Sequence, residues 1–199
     1  MDLPPLILAS ASPRRSQLLR ELALSFEVVP GRAEEIHPEH LTPHEICQIN
    51  AYRKARVIAK KHPDALVLGA DTIVCMGTRV FGKPKDLRDA HRMLGQLQGR
   101  THEVLTGVCL VHLRTHRQKV FVDSTTVTFR TLYSEQIRRY LSKIDPLDKA
   151  GAYAIQEEGD LIVKSVNGSY SNVVGLPLER LKAEFELWNI PVTVSALGS

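Results

Sequence analysis

The stretch at residues 6–19 constrains the fold most. Leu6-Ile7-Leu8-Ala9 is a short apolar run of the kind that forms a buried strand. The chain then turns through Ser10, Ala11 and Ser12 into Pro13, and Leu18, Leu19 and Leu22 recur at helical spacing. Ser12 suits a helix N-cap, and Pro13 suits a first helical position, where no N–H is needed. Strand, tight turn and helix in that order point to a sheet flanked by helices. A helix N-terminus presents unpaired N–H groups and a partial positive charge, which suits an anion. Arg14 and Arg15 add fixed cationic forks that match phosphate geometry.

The rest of the chain alternates in the same way. Residues 25–30 read as a second short strand, followed by a loop with Arg32, Glu34 and Glu35. Thr42-Pro43-His44-Glu45 is a capping box with proline at the first helical position, and its helix is expected to run to about residue 62. Cys47, Ala51, Ala55 and Ile58 fall on one face of it, with Lys54 beside that stripe. Residues 65–68 read as a strand that stops at Gly69-Ala70-Asp71-Thr72, resumes over 73–76 and returns over 80–81. Asp86 suits the cap of a helix with Leu87, Ala90, Leu94 and Leu97 on its apolar face and Gly99 at its end. Residues 101–113 and 119–130 read as an antiparallel hairpin. Ser134 suits the cap of a helix with Ile137, Leu141 and Ile144, stopped by Asp145-Pro146. Residues 153–155 and 161–163 are strand-like, 167–170 a turn, and Pro177 opens a last helix with Leu178, Leu181 and Phe185 on one side, ended by Pro191. Crossover helices mixed with hairpins argue an α/β or α+β fold on a mixed sheet.

A length of 199 residues suits one domain, 1–199. A net charge of +4, with the charges interspersed, favours anionic ligands weakly and gives no clustered basic face for nucleic acid. Cys47, Cys75 and Cys109 are odd in number and far apart, which suits buried thiols in a reducing compartment. Cys47 and Cys109 sit in apolar patterns and read as core. No apolar run reaches the roughly 18–20 residues that a membrane span needs. The start at Met1-Asp2, meeting Pro4-Pro5, lacks the n-region of a secretory leader, so the expected location is the cytoplasm. The histidines form no HExxH pair, and His37, His40 and His44 lie in a polar loop as solvated surface.

Polar groups recur at strand ends and helix starts: Ser10, Ser12, Arg14, Arg15, Glu35, Lys54, Asp71, Thr72, Lys83 and Gln156. Ligand sites of open α/β sheets favour those positions. Cations neutralise phosphates, and carboxylates hold a divalent metal or deprotonate water; phosphoryl chemistry needs both together. Asp71 stands out, because an aspartate interrupting an apolar run is costly to bury without a partner or a metal.

These residues also resemble a family. Leu8-Ala9-Ser10-Ala11-Ser12-Pro13-Arg14-Arg15 is similar to the opening signature of the Maf-like nucleotide pyrophosphatases. The likeness continues in order through Lys54-Ala55, Gly69-Ala70-Asp71-Thr72-Ile73-Val74, Gly82-Lys83-Pro84 and Gly99-Arg100-Thr101-His102-Glu103-Val104. It resumes at Asp148-Lys149-Ala150-Gly151-Ala152-Tyr153-Ala154-Ile155-Gln156 and at Gly168-Ser169-Tyr170-Ser171-Asn172-Val173-Val174-Gly175-Leu176-Pro177. The resemblance implies a nucleotide diphosphatase that cleaves a nucleoside triphosphate between the α and β phosphates. It implies an α/β fold of two lobes around a deep cleft, related in shape to the inosine triphosphate pyrophosphatases. It also implies a divalent cation, Mg²⁺ or Mn²⁺, and a homodimer; the composition and patterning above lead to no membrane or nucleic-acid partner being expected.

On this resemblance Asp71 is the proton acceptor, and Glu35 and Asp71 face the metal. Arg15, Lys54 and Lys83 hold phosphates, with Ser10 and Ser12 in the same substrate-binding turn. Arg14, Thr72 and Gln156 mark the subgroup that acts on dTTP and UTP, and a glutamine amide suits a pyrimidine imide edge because it both donates and accepts. Within the family the alternative substrate is 7-methyl-GTP. Outside catalysis the alternative is a regulator of septum formation or a nucleic-acid binder. Two departures from the family pattern stand out. The segment Arg32-Ala33-Glu34-Glu35 has lost part of the usual acidity, and Glu157-Glu158 follow Gln156 where glycine is usual, which adds negative charge beside the expected base pocket.

Overall fold

The computed structural model describes residues 3–192, so the start at Met1-Asp2 lies outside it. Among the described residues a mixed sheet carries the fold. β1 (Leu6–Leu8) leads through α1 (Pro13–Arg20) to β2 (Phe26–Val28), and α2 (Pro43–Ala59) leads from there to β3 (Leu66–Met76). β1 is parallel to both β2 and β3, so α1 and α2 are the crossovers that parallel strands require. β4 (Arg79–Phe81) returns antiparallel onto the end of β3. α3 (Leu87–Leu97) is followed by β5 (Thr101–His112) and β6 (Arg117–Phe129), sheet neighbours whose short connection leaves room only for the antiparallel hairpin that the sequence suggested. α4 (Ser134–Leu141), β7 (Val163–Asn167), α5 (Tyr170–Val174) and α6 (Leu178–Leu187) complete the chain. The sheet order is β2-β1-β3-β5-β6-β7, with β4 on β3.

The chain divides into two compact units. Of the described residues, the first comprises 3–71, 106–123 and 175–192, and the second 72–105 and 124–174. In the first, Ile7, Ala9, Ala51, Ala55, Ile58, Val67, Cys109 and Val111 form one buried cluster, so the stripe expected on α2 is its buried face. In the second, Phe81, Leu94, Leu97, Val104, Phe129, Tyr140 and Tyr153 belong to a separate core. All the cysteines are buried and free, and burial raises the thiol pKa of Cys75 to about 11 and of Cys109 to about 12.

The structure corrects several local expectations. β3 does not stop at Gly69 but continues through Asp71 to Met76, because tertiary pairing outweighs the weak strand preference of Gly and Asp. α2 ends at Ala59, short of residue 62. Ser12 is the N-cap of α1, but its side chain makes no cap bond. Leu87 is 59 % exposed and not on the apolar face of α3. The cap of α4 is Tyr133, whose N–H donates to Gln136 Oε1 at 2.8 Å, so Ser134 is the first helical residue. Residues 153–155 are not a strand but follow the 3-10 turn Ala150–Ala152, and a second such turn, Gly159–Leu161, precedes β7. The capping box of Thr42 and Glu45, the Asp86 cap and the C-terminal Gly99 at φ +67° are as expected.

Candidate functional site

Alternation along β3 puts Val67, Gly69 and Asp71 on one face. That face lies under α2. Val67 shares a cluster with Ala51, Ala55 and Ile58. A Cβ on Gly69 would come within 2.5 Å of the Ala51 carbonyl oxygen and 2.8 Å of the Ala55 Cβ, so helix and strand touch there through glycine and alanine. One step further along the strand, Asp71 meets the next side chains of the helix, Asn50 and Lys54, which share a face at i and i+4. The close approach at Gly69 therefore sets the distance at which a carboxylate and an ammonium can meet.

Asp71 is only 4 % exposed. Its Oδ1 accepts from Lys54 Nζ at 2.6 Å and its Oδ2 from Asn50 Nδ2 at 3.2 Å. Lys54 Nζ also donates to Glu35 Oε1 at 2.7 Å, so one ammonium joins two carboxylates from distant parts of the sequence. Glu35 lies in the loop between β2 and α2. Gly31 brings that loop in, because a Cβ there would lie 2.6 Å from the Lys54 carbonyl oxygen. Asn50 ties the next residue, accepting from Ile36 N–H at 2.9 Å and donating to its carbonyl at 3.2 Å.

The start of α1, just after β1, supplies two further cations, Arg14 and Arg15. Arg15 donates from Nε to the Gly175 carbonyl at 2.8 Å and from a terminal nitrogen to Ser10 Oγ at 3.2 Å. Ser12 N–H also donates to Ser10 Oγ, at 3.2 Å. Dense surroundings lower the pKa of the Arg15 guanidinium, while Asp71 and Glu35 act in the opposite sense. Arg14, next along the helix, is half-buried and its charge opposes that of Arg15.

The first unit thus gathers Ser10, Ser12, Arg14, Arg15, Glu35, Lys54 and Asp71. Thr72, Lys83 and Gln156 belong to the second. Thr72 is half-buried, following Asp71 on β3, and Lys83 and Gln156 are exposed in connecting segments. The carboxylates added after Gln156 are matched within their own unit. Glu157 lies 3.5 Å from Lys149 Nζ, and Glu158 lies 2.8 Å from Lys143 Nζ. Lys149 is itself buried and donates to Asp148 and to the Asp145 carbonyl. Lys143 thus offsets Glu158, while Glu157 shares Lys149 with Asp148, so the added negative charge is only partly offset where it arises.

Asn50 and the Gly175 carbonyl are absent from the residues singled out in the sequence. A backbone carbonyl leaves no sequence signal, but Asn50 does, as the polar residue one helical turn before Lys54. No group of three or more His, Cys, Asp or Glu that could hold a metal occurs among the described residues. The Glu35 and Asp71 pair nonetheless suits a hard divalent ion, since Mg²⁺ is commonly held by one or two carboxylates together with phosphate oxygens. The two carboxylates already converge on a single cationic nitrogen. No helix among the described residues is long and apolar enough to cross a membrane.

Residues 5–187 match the family described as Maf-like protein. A dTTP/UTP pyrophosphatase of Symbiobacterium thermophilum is 44% identical over 97% of this chain and 98% of its own length. Proteins of the same name are 46% identical in Moorella thermoacetica, over 94% of this chain and 96% of theirs, and 45% identical in Pelotomaculum thermopropionicum, over 88% and 92%. Among solved structures, a HAM1 protein from Coxiella burnetii is similar with a TM-score of 0.41 and 13% identity, over 64% of this chain and 73% of that one.

Proposed function

We propose, from the premise that this chain belongs to the Maf-like protein family, that it hydrolyses dTTP and UTP to the nucleoside monophosphate and pyrophosphate. The observation that carries the reading is the buried Asp71 carboxylate, held between an ammonium and an amide. A nearly buried aspartate with a fixed orientation is what a reaction needs to hold and deprotonate a water. Water attacks the α-phosphorus, its proton passes to Asp71, and the bond to the β-phosphate oxygen breaks to release pyrophosphate.

The cations of the chain hold the phosphate charge. Arg15 is set rigidly by its bonds to Gly175 and Ser10. Of the three donors of Lys54, two are engaged by carboxylates, and the third is assigned here to a phosphate oxygen. Lys83 adds a further cation in the same role. A divalent cation, Mg²⁺ or Mn²⁺, held by Glu35 and Asp71, would neutralise charge on the phosphate oxygens. Arg14, Thr72 and Gln156 are assigned to base preference, with Ser10 and Ser12 shaping the phosphate turn. Action of residues 1–199 as one domain, a homodimer and a cytoplasmic location complete this reading, and light scattering tests the dimer.

A panel of dTTP, UTP and 7-methyl-GTP with Mg²⁺ or Mn²⁺, read as released pyrophosphate, tests it. The expected result is preferred turnover of dTTP and UTP, a preference that Gln156→Ala blunts. Asp71→Asn is expected to lose at least about 10²-fold in turnover, the lower range for a general base. Near-wild-type turnover of Asp71→Asn takes the acceptor role away from that residue, and preferred hydrolysis of 7-methyl-GTP overturns the substrate assignment.

A further inference from the structure

The reaction described above uses Asn50 only as the amide beside Asp71, yet this polar side chain is only 1 % exposed and makes three hydrogen bonds. Its bonds run in two directions. Toward the loop, its amide pairs with both backbone groups of Ile36, accepting from the N–H at 2.9 Å and donating to the carbonyl at 3.2 Å. Toward the strand, its Nδ2 donates to Asp71 Oδ2 at 3.2 Å. Because the Ile36 N–H can only donate, it fixes which end of the amide carries the oxygen, and the NH₂ end necessarily faces the carboxylate. One oxygen and both N–H donors are thereby used.

We propose that Asn50 is a positioning residue: one amide orients the Asp71 carboxylate and anchors the loop that carries Glu35, so that the two acids converge. The inference rests on the role given to Asp71 above. The division of labour is geometric. Lys54 holds Oδ1, and Asn50 holds Oδ2 from the preceding turn of the same helix. With both oxygens held by donors one turn apart on α2, the carboxylate plane is fixed against rotation about the side-chain bonds. Removal of the amide leaves Oδ2 without this donor and Glu35 on a loop that has lost both Ile36 bonds. Misplacement of a reacting group by about 1 Å costs on the order of 10²-fold in rate.

Two substitutions separate this role from a merely structural one. Asn50→Asp keeps the size and the acceptor for Ile36 N–H, but cannot donate to Asp71 and sets a second carboxylate against it. Asn50→Leu removes all three bonds. Both variants are expected to lose about tenfold or more in kcat on dTTP while KM stays within about threefold, the signature of lost transition-state geometry. Asn50→Asp is expected to be at least as impaired as Asn50→Leu. In an Asp71→Asn background Asn50→Asp is expected to lower the residual rate no further, and Asn50→Leu only by the smaller part that acts through the Glu35 loop. Hydrogen exchange at the Ile36 amide reads the loop anchor without turnover: protected in wild type and Asn50→Asp, faster in Asn50→Leu.

Near-wild-type kcat in Asn50→Asp beside an impaired Asn50→Leu would reduce Asn50 to a loop anchor and overturn the inference. So would an undiminished loss in the Asp71→Asn background, or unchanged Ile36 exchange in Asn50→Leu. Failure of the underlying function shows elsewhere, in a wild-type chain that releases no pyrophosphate. Failure of the inference shows only in the Asn50 variants of an active enzyme.

Discussion

Lys54→Met removes the ammonium that joins Asp71 to Glu35 and keeps most of the side-chain volume. Its cost follows from the two contacts. The contact to Asp71 is 2.6 Å long between side chains 13% and 5% exposed, so it is nearly buried, whereas Glu35 is 41% exposed. Removing one partner of a buried ion pair costs about 3–5 kcal/mol, because the other charge is left uncompensated. Asn50 still donates to Asp71, which favours the lower end, about 3 kcal/mol. The more exposed pair with Glu35 adds no more than about 1 kcal/mol. For a chain of this size each kcal/mol lowers Tm by about 2–4 °C, so the total of about 3–4 kcal/mol is expected to lower the melting point by about 6–16 °C. In an Asp71→Asn background only the Glu35 contribution, at most about 1 kcal/mol, is expected to remain, leaving a coupling of about 3 kcal/mol between the two positions. Thermal unfolding followed by circular dichroism at low ionic strength measures all four proteins. A single variant melting within about 2 °C of wild type, or an equal fall in both backgrounds, would refute the reasoning.

Two further outcomes follow from the buried elements. His102 is buried against Phe129 and Tyr153, and burial lowers its pKa to about 4. The folded state then binds fewer protons than the unfolded state between about pH 4 and 6.5, so this contribution is complete above 6.5 and falls with acidification by up to about 1.4 kcal/mol per pH unit. His102→Gln is expected to flatten that acid slope in denaturant titrations, and an unchanged slope would assign it to other groups. Gly69→Ala forces a Cβ to within 2.5 Å of the Ala51 carbonyl oxygen, and an overpacking cost of about 1–3 kcal/mol is expected as a lowered urea midpoint, with wild-type unfolding as the contrary result.

Much of this arrangement was legible in the sequence where one physical rule dominates. The apolar spacing on α2 gave its buried face, the Thr42–Glu45 pair gave its start, and an acid inside an apolar run marked Asp71. Where rules compete, the reading fell short. Gly69 and Asp71 resemble a strand end by local preference, but pairing on either side holds β3 in one piece. Leu87 has helical spacing, but at the first turn of α3 it points to solvent. Asn50 lay unremarked beside an apolar stripe because its importance comes from two segments distant in sequence, Ile36 and Asp71. The lysines beside Glu157 and Glu158 were visible as residues, but their pairing depends on how 143–158 folds back.

β3 changes partner along its length: Leu68 is in register with Leu8, and Val74 with Phe81. Asp71 hangs between these two fixed points. Because side chains in a strand alternate, deleting or inserting one residue between them would turn the acid onto the opposite surface or break one of the ladders. This short span can therefore accept exchanged side chains but not a changed length, so its parity is as much a part of the site as the acid itself.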